Sequence, residues 1–439
     1  MQAMKWTINI LLLSATLTAS AQTPWSMQQC MMYAIEHNHE VKQAVLELDN
    51  RQSSQTEAVA SFLPSLSAHI GGQYNFGRAI DPETNGYTEV STFNNSSTLD
   101  VSLTVFDGMS RYHLLKAAQA STLMGKLSLR QRQDQTALDV LGAYTNVLYC
   151  HGMVQMAEEK EKETALLLRQ TKLLNEIGRK SAADLALIEA QQAEAEYDLI
   201  HQQNLYASAL LELKKKMAFP LADSLTLILD DTSAQDTENQ IIDPPSDLSQ
   251  HATLQMAYCQ IEVSRQQWKQ KRSNFLPTIY LQAELGTSYY KTLHSTAPSL
   301  GTQYKNNLGK YVGASMSIPL FSRLESTQQL RRAKNNLKVA QEQYEQKQLE
   351  LEKLSREAWQ DLQGYRRQVL QMQKKATADS LAYHLTHRQF EEGLCTAIDL
   401  HTTSKQWLDS KARLLQCRLM EMVTAQTVRY YNGETIWTK

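Results

Sequence analysis

From Ser65 onward, apolar and polar residues alternate. Leu66, Ala68, Ile70, Tyr74 and Phe76 share one parity, with Ser65, Ser67, His69, Gln73 and Asn75 on the other. The alternation returns three times. Leu99, Val101, Leu103 and Val105 oppose Thr98, Asp100, Ser102 and Thr104. Ile279, Leu281, Ala283, Leu285 and Tyr289 oppose Thr278, Gln282, Glu284 and Ser288. Val312, Ala314, Met316, Ile318 and Leu320 oppose Gly313, Ser315 and Ser317. A period of two predicts strands with one apolar and one polar face. Elsewhere the steps become three and four. Leu351, Leu354, Ala358, Leu362, Tyr365, Val369 and Met372 form one such series. Val140, Val147 and Val154, with Leu141 and Leu148 beside them, form another. Adjacent stripes suit a long helix with a neighbour on each flank, although a plain antiparallel coiled coil has the same pattern. A helix of about 65 residues is about 100 Å long.

The pattern occurs twice. Phe62-Leu63-Pro64 returns as Phe275-Leu276-Pro277, and Phe106-Asp107 as Phe321-Ser322. Gly178, Asp184 and Leu185 return 215 positions on as Gly393, Asp399 and Leu400. This ordered recurrence predicts an internal duplication, with a first repeat at 22–246 and a second at 247–439. Each repeat reads as a helix (about 27–61 and 247–274), a β-hairpin (about 65–106 and 278–320), a very long helix, a glycine turn and a returning helix. The first helix of each copy stops at Leu-Pro, because proline restricts the residue before it. An acidic segment at about 217–246, with Pro244-Pro245, closes the first repeat, and a tail closes the second. At each turn, glycine supplies the left-handed conformation that commonly ends a helix. Asp184 and Asp399 follow in the first turns of the returning helices, where a carboxylate suits the positive helix end.

The strand segments have the length of transmembrane strands, apolar towards lipid and polar towards a lumen. A soluble sheet packed on a core gives the same alternation. Four strands cannot close a membrane barrel, so membrane insertion would require oligomerisation, and a trimer would supply twelve.

The N-terminus adds an export signal. Lys5 precedes an apolar run from Ile8 to about Leu17, and Ala19-Ser20-Ala21 offers a cleavage site, so residues 1–21 read as a signal peptide. An uncleaved anchor is the alternative. After residue 21, no apolar run has the length of a transmembrane helix. With 44 Lys+Arg against 46 Asp+Glu, the chain has no basic footprint for nucleic acid. Its five cysteines are scattered and never in CxxC spacing, which argues against a disulfide framework. No phosphate loop, dinucleotide fingerprint, HExxH or nucleophile elbow occurs, so neither enzyme nor cofactor is expected. His37 and His39, and His384 and His387 beside Glu391 and Glu392, read as solvated surface histidines rather than metal ligands.

The order of signal peptide, helix, Leu-Pro, strand pair, long helix, glycine turn and helix, all duplicated, resembles the TolC-like outer-membrane efflux proteins. The carriers are Phe62-Leu63-Pro64 with Phe275-Leu276-Pro277, Leu103–Asp107 with Ile318–Ser322, and the two Gly…Asp-Leu stretches. The stretch G-R-A-I-D-P-E-T-N at 77–85 is similar to versions from the Bacteroidetes branch. The resemblance implies a mixed α+β membrane protein, mainly α. Four transmembrane β-strands per chain would contribute to a trimeric 12-stranded β-barrel, continued by a helical periplasmic barrel. It further implies a homotrimer in outer-membrane lipids, working with a periplasmic adaptor (a membrane fusion protein) and an inner-membrane transporter. Such a duct conducts passively and performs no chemistry.

By that resemblance, Asp184 and Asp399 are entrance or gate candidates. Gly178, Arg179, Lys180, Gly393 and Leu394 are candidates for adaptor docking. Phe390 and Cys395 stand where some members carry polar linking residues. Asp100 and Glu284, on the polar parity of their strands, are barrel-lumen candidates. The competing reading is a periplasmic coiled-coil scaffold or adaptor whose strands form a soluble domain.

Overall fold

The computed structural model describes residues 24–80, 85–89, 91–228, 248–293 and 296–437. The expected signal peptide, part of the 77–85 stretch and most of the acidic 217–246 segment lie outside these residues. The elements, in order, are α1 (Met27–His37), α2 (His39–Ala60), β1 (Ser65–Asn75), β2 (Arg78–Ile80), β3 (Tyr87–Glu89), β4 (Thr92–Phe106), α3 (Ser110–Glu176) and α4 (Ala182–Met217). They continue with α5 (Ala252–Ser273), β5 (Thr278–Thr292), α6 (Leu300–Asn306), β6 (Gly309–Ser317), α7 (Glu325–Glu391) and α8 (Ala397–Tyr431). Two compact units result. One contains 24–42, 132–228 and 352–437, and the other contains 43–131 and 249–351, so each draws on both repeats. Among the described residues, no helix is long and apolar enough to cross a membrane.

In the unit spanning 43–131 and 249–351, the strands form one antiparallel sheet in the order β1-β4-β5-β6. Its register follows the alternation: Leu66 opposes Val101, Val101 opposes Ala283 and Ala283 opposes Val312. One apolar face thus runs across all four strands. The other face carries serines and acids, and Ser65 and Ser102 share a 2.6 Å hydroxyl contact there.

The expected fold class requires correction. The chain forms a mixed α+β, mostly helical fold with a small four-stranded antiparallel sheet. Among the described residues that sheet is open, in place of the expected barrel. Within the chain, β1 and β6 are the two edges of the strand order. The alternation that suggested lipid-facing strands is equally the mark of any sheet with unlike faces.

The loops between strands also carry structure that was not expected. β2 and β3 pair as a short ribbon. The α6 helix begins at the N-cap Ser299 and is fastened to the sheet through Tyr304. The Tyr304 carbonyl accepts from Thr287 Oγ1 at 2.8 Å, and its hydroxyl lies 2.9 Å from Ser97 Oγ.

In the unit built from 24–42, 132–228 and 352–437, the main core gathers Cys30 and Met31 of α1, Val140, Leu141, Tyr144 and Val147 of α3, Leu213 and Met217 of α4, and Met422 of α8. The first helix of the repeat is broken at Asn38, whose backbone is extended. The Asn38 side-chain amide Nδ2 donates to the Lys216 carbonyl at 2.9 Å, a tertiary contact at the break. After α4, Ala218 takes a left-handed conformation and Trp25 bridges to Leu227, while Tyr144 donates to the Ile228 carbonyl at 2.6 Å.

Candidate functional site

The two turns share the conformation of their glycines. Gly178 and Gly393 both have φ of +76°, where a side chain is strained. At the first turn, Arg179 N–H donates to the Leu174 carbonyl at 2.8 Å. At the second, Leu394 N–H donates to the Gln389 carbonyl at 2.8 Å. These bonds span five residues and satisfy carbonyls that the helix end would leave open. Gly178, Arg179, Gly393 and Leu394 are exposed.

Each returning helix then starts with a reciprocal cap. Asp184 N–H donates to Ser181 Oγ at 3.0 Å, and the Asp184 carboxylate accepts from Ser181 Oγ at 2.7 Å and from Ser181 N–H at 3.3 Å. The second copy repeats this. Asp399 N–H donates to Thr396 Oγ1 at 3.2 Å, while its carboxylate accepts from Thr396 Oγ1 at 2.6 Å and from Thr396 N–H at 3.0 Å. The hydroxyl hydrogen bonds, with the backbone bonds after them, hold both carboxyls below the usual aspartate range. The capping box thus occupies the two residues picked out by their spacing.

The turns meet through one cluster. Leu167 of α3, Ile188 of α4, Tyr383 and Phe390 of α7, and Leu400 of α8 are buried together, with Cys395 and Trp407 partly buried against them. Lys180 Nζ sits 3.9 Å from the centre of the Phe390 ring. Phe390 lies 215 positions after Asn175, and Cys395 lies 215 after Lys180. Asn175 closes its own turn, donating to the Lys180 carbonyl at 2.9 Å, whereas Phe390 anchors the cluster. Sequence reading located the turns but missed the cation–π link, although the mismatch at these register positions was visible.

Beside the cluster, Tyr383 and Trp407 stack with centroids 4.9 Å apart. His384 lies 5.6 Å from Trp407, and His387 Nδ1 lies 3.8 Å from Glu391. Glu163, also in this region, has its carboxyl pushed up, first by burial. Among the described residues, no group of three or more His, Cys, Asp and Glu side chains is arranged to hold a metal.

In the sheet-bearing unit, Asp100 and Glu284 are direct cross-strand partners on β4 and β5. Like charges in this position oppose pairing. The Asp100 carboxylate accepts from Thr98 Oγ1 at 2.9 Å, which offsets part of that cost.

Comparison with known proteins adds a family match. The family model described as "Outer membrane efflux protein" matches residues 32–218 and 244–431. The outer membrane efflux protein BepC of Brucella suis is 21% identical over 367 residues, which cover 82% of this chain and 76% of that protein. The alkaline protease secretion protein AprF of Pseudomonas aeruginosa is 22% identical over 69% of this chain and 63% of its own length. The fold is similar to that of the CmeC outer membrane channel of Campylobacter jejuni, with a TM-score of 0.80, 14% identity, and coverage of 94% of this chain and 87% of that one.

Proposed function

The chain belongs to the outer membrane efflux protein family, and from that premise we propose that it is the passive exit duct of a tripartite efflux or type I secretion assembly. Proteins of this TolC type are outer-membrane channels that extend into the periplasm, and they are conduits rather than enzymes. The finer reading is a homotrimer receiving cargo from a periplasmic adaptor and an inner-membrane transporter. The observation that carries it is the doubled hairpin end, in which two turns with glycines of equal φ are joined by Lys180 and Phe390. Arg179, Lys180 and Leu394 are the residues assigned to adaptor docking, on the backbone turns made by Gly178 and Gly393. Similarity of the 77–85 stretch supports a Bacteroidetes-type member.

Asp184 and Asp399 are assigned to the entrance, and Asp100 and Glu284 to the transported path along the polar face of the sheet. Because each tip aspartate also caps a helix, its charge and its cap must be separated. In planar bilayers, the Asp184→Ala/Asp399→Ala double variant is expected to change single-channel conductance or its block by cations. Ser181→Ala/Thr396→Ala, which weakens the caps but keeps the charges, is expected to retain both. Unchanged conductance and block in the aspartate variant would remove the gate assignment. The duct reading is tested by fractionation and by gel analysis of unheated samples. An outer-membrane trimer is expected, whereas a soluble periplasmic monomer would favour the scaffold reading.

A further inference from the structure

The two repeats differ in charge where they are alike in plan. Between Arg265 and Lys338 the second repeat has 12 Lys+Arg against 2 Asp+Glu, whereas the equivalent stretch 50–123 of the first has 4 against 6. Nine of the 12 cations stand on the C-terminal part of α5 or between Arg323 and Lys338. The sheet brings these two places together. Thr278, which opens β5 just after α5, pairs with Ser317, the last residue of β6 before α7. Asn274 Nδ2 also donates to Gln329 Oε1 at 3.4 Å. Lys269 and Arg272 share one face of α5, and Arg331, Lys334 and Lys338 share one face of α7, since steps of three and four align side chains. Arg272, Arg323, Arg331, Arg332, Lys334 and Lys338 are exposed. Arg265 is paired with Glu262 at 2.6 Å, but among the described residues none of these six has an ion-pair partner.

One of these cations sits on a strained backbone. Arg323 and Leu324 have φ of +49° and +65°, a left-handed pair uncommon for residues with side chains. Their counterparts 215 positions earlier, Gly108 and Met109, have φ of +66° and +73°. The left-handed pair is common to both repeats, but the second puts an exposed arginine where the first has glycine. Its neighbours along the chain are apolar and uncovered: Leu320 is 92% exposed, Phe321 77% and Leu324 61%. Phe275 and Leu276, just after α5, are exposed as well. Cations beside an uncovered apolar band suit the surface of an anionic lipid leaflet, where phosphates meet the charges and acyl chains meet the apolar groups. A nucleic acid or a free phosphate matches the charges but leaves that band in water. We propose that the end of α5 and the β6–α7 junction form a binding surface for anionic phospholipid, with Arg272, Arg323, Arg331 and Arg332 at the phosphates and Leu320, Phe321 and Leu324 at the acyl chains. A zwitterionic phospholipid offers the same acyl chains without the net charge and is disfavoured. The surface goes beyond the conduit reading: lipid retention is measured without transport, so either can fail alone.

The probe is dioleoyl phosphatidylglycerol, supplied with an equal amount of dioleoyl phosphatidylcholine to the full chain in detergent micelles. Native mass spectrometry counts the lipids retained. Phosphatidylglycerol is expected in about 5-fold excess or more. Arg323→Gln/Arg331→Gln/Arg332→Gln is expected to bring the ratio below about 2-fold. Lys374→Gln/Lys405→Gln/Arg418→Gln, which removes three exposed cations from the other unit, is expected to keep it. Inorganic phosphate and hexaglutamate, each added in equal amount, are expected to displace no lipid. Circular dichroism identifies folded variants, and the lipid and competitor comparisons on the unmodified protein stand whether or not a variant folds. Equal retention of the two lipids, displacement by either competitor, an unchanged ratio in the folded arginine variant, or an equal fall in the control variant would overturn the proposal.

Discussion

At Gly178 and Gly393, the built position of a side-chain carbon meets nothing within 4 Å, so the cost of substitution is conformational alone. Gly178→Ala is expected to destabilise its turn by about 1–2 kcal/mol. Hydrogen exchange should show this as faster opening of Arg179 and Lys180 amides with distant amides unchanged. The Lys180–Phe390 contact should couple the two turns by about 0.5–2 kcal/mol. A double-mutant cycle of Lys180→Met and Phe390→Leu, read by local exchange, measures it. The tip carboxylates set a pH response. Their folded pKa values lie below the reference 3.8. Their stabilisation is therefore complete above that value and is lost as pH falls through the lower folded values. Exchange at the Asp184 and Asp399 amides is expected to accelerate below about pH 3.8 relative to pH 6 once intrinsic rates are corrected. Ser181→Ala and Thr396→Ala should flatten the response.

Among the elements, two glycines of unlike setting make a contrasting pair. Gly108 has φ of +66°, and an added carbon would lie 2.8 Å from both Leu276 Cβ and the Ser273 carbonyl oxygen. Gly108→Ala is expected to cost about 3 kcal/mol, combining backbone strain and overpacking. Gly142 lies within α3 and has nothing within 4 Å. Gly142→Ala is expected to stabilise by about 0.5–1 kcal/mol through helix propensity. Thermal melting of the two variants should therefore move in opposite directions. The strand faces, both glycine turns and the positions of the cap aspartates were legible in the sequence because each follows from local spacing. The break at Asn38 was not, since its amide is held by the carbonyl of Lys216, 178 residues away. Nor was α6, whose anchoring through Tyr304 depends on β4 and β5 being assembled.

For the whole chain, the family model matches two stretches, 32–218 and 244–431, and each contains one copy of Phe-Leu-Pro, at 62–64 and at 275–277. The repeats do not separate into the two compact units, because each unit takes segments from both. The sheet is where the sequence expectation went too far. Alternation established which residues share a face, but not what covers either face, since a period of two is common to every sheet with unlike faces.

The long helices α3 and α7 each have 67 residues, and their returning partners have 36 and 35. A single-residue insertion in one long helix would advance its turn by about 1.5 Å and rotate it by about 100°. That would carry Lys180 off the Phe390 ring and swing both sides of the contact out of phase. Helix length in this chain is therefore a gauge that both repeats must keep in common. Deletions and insertions should be tolerated only when made in matched sets.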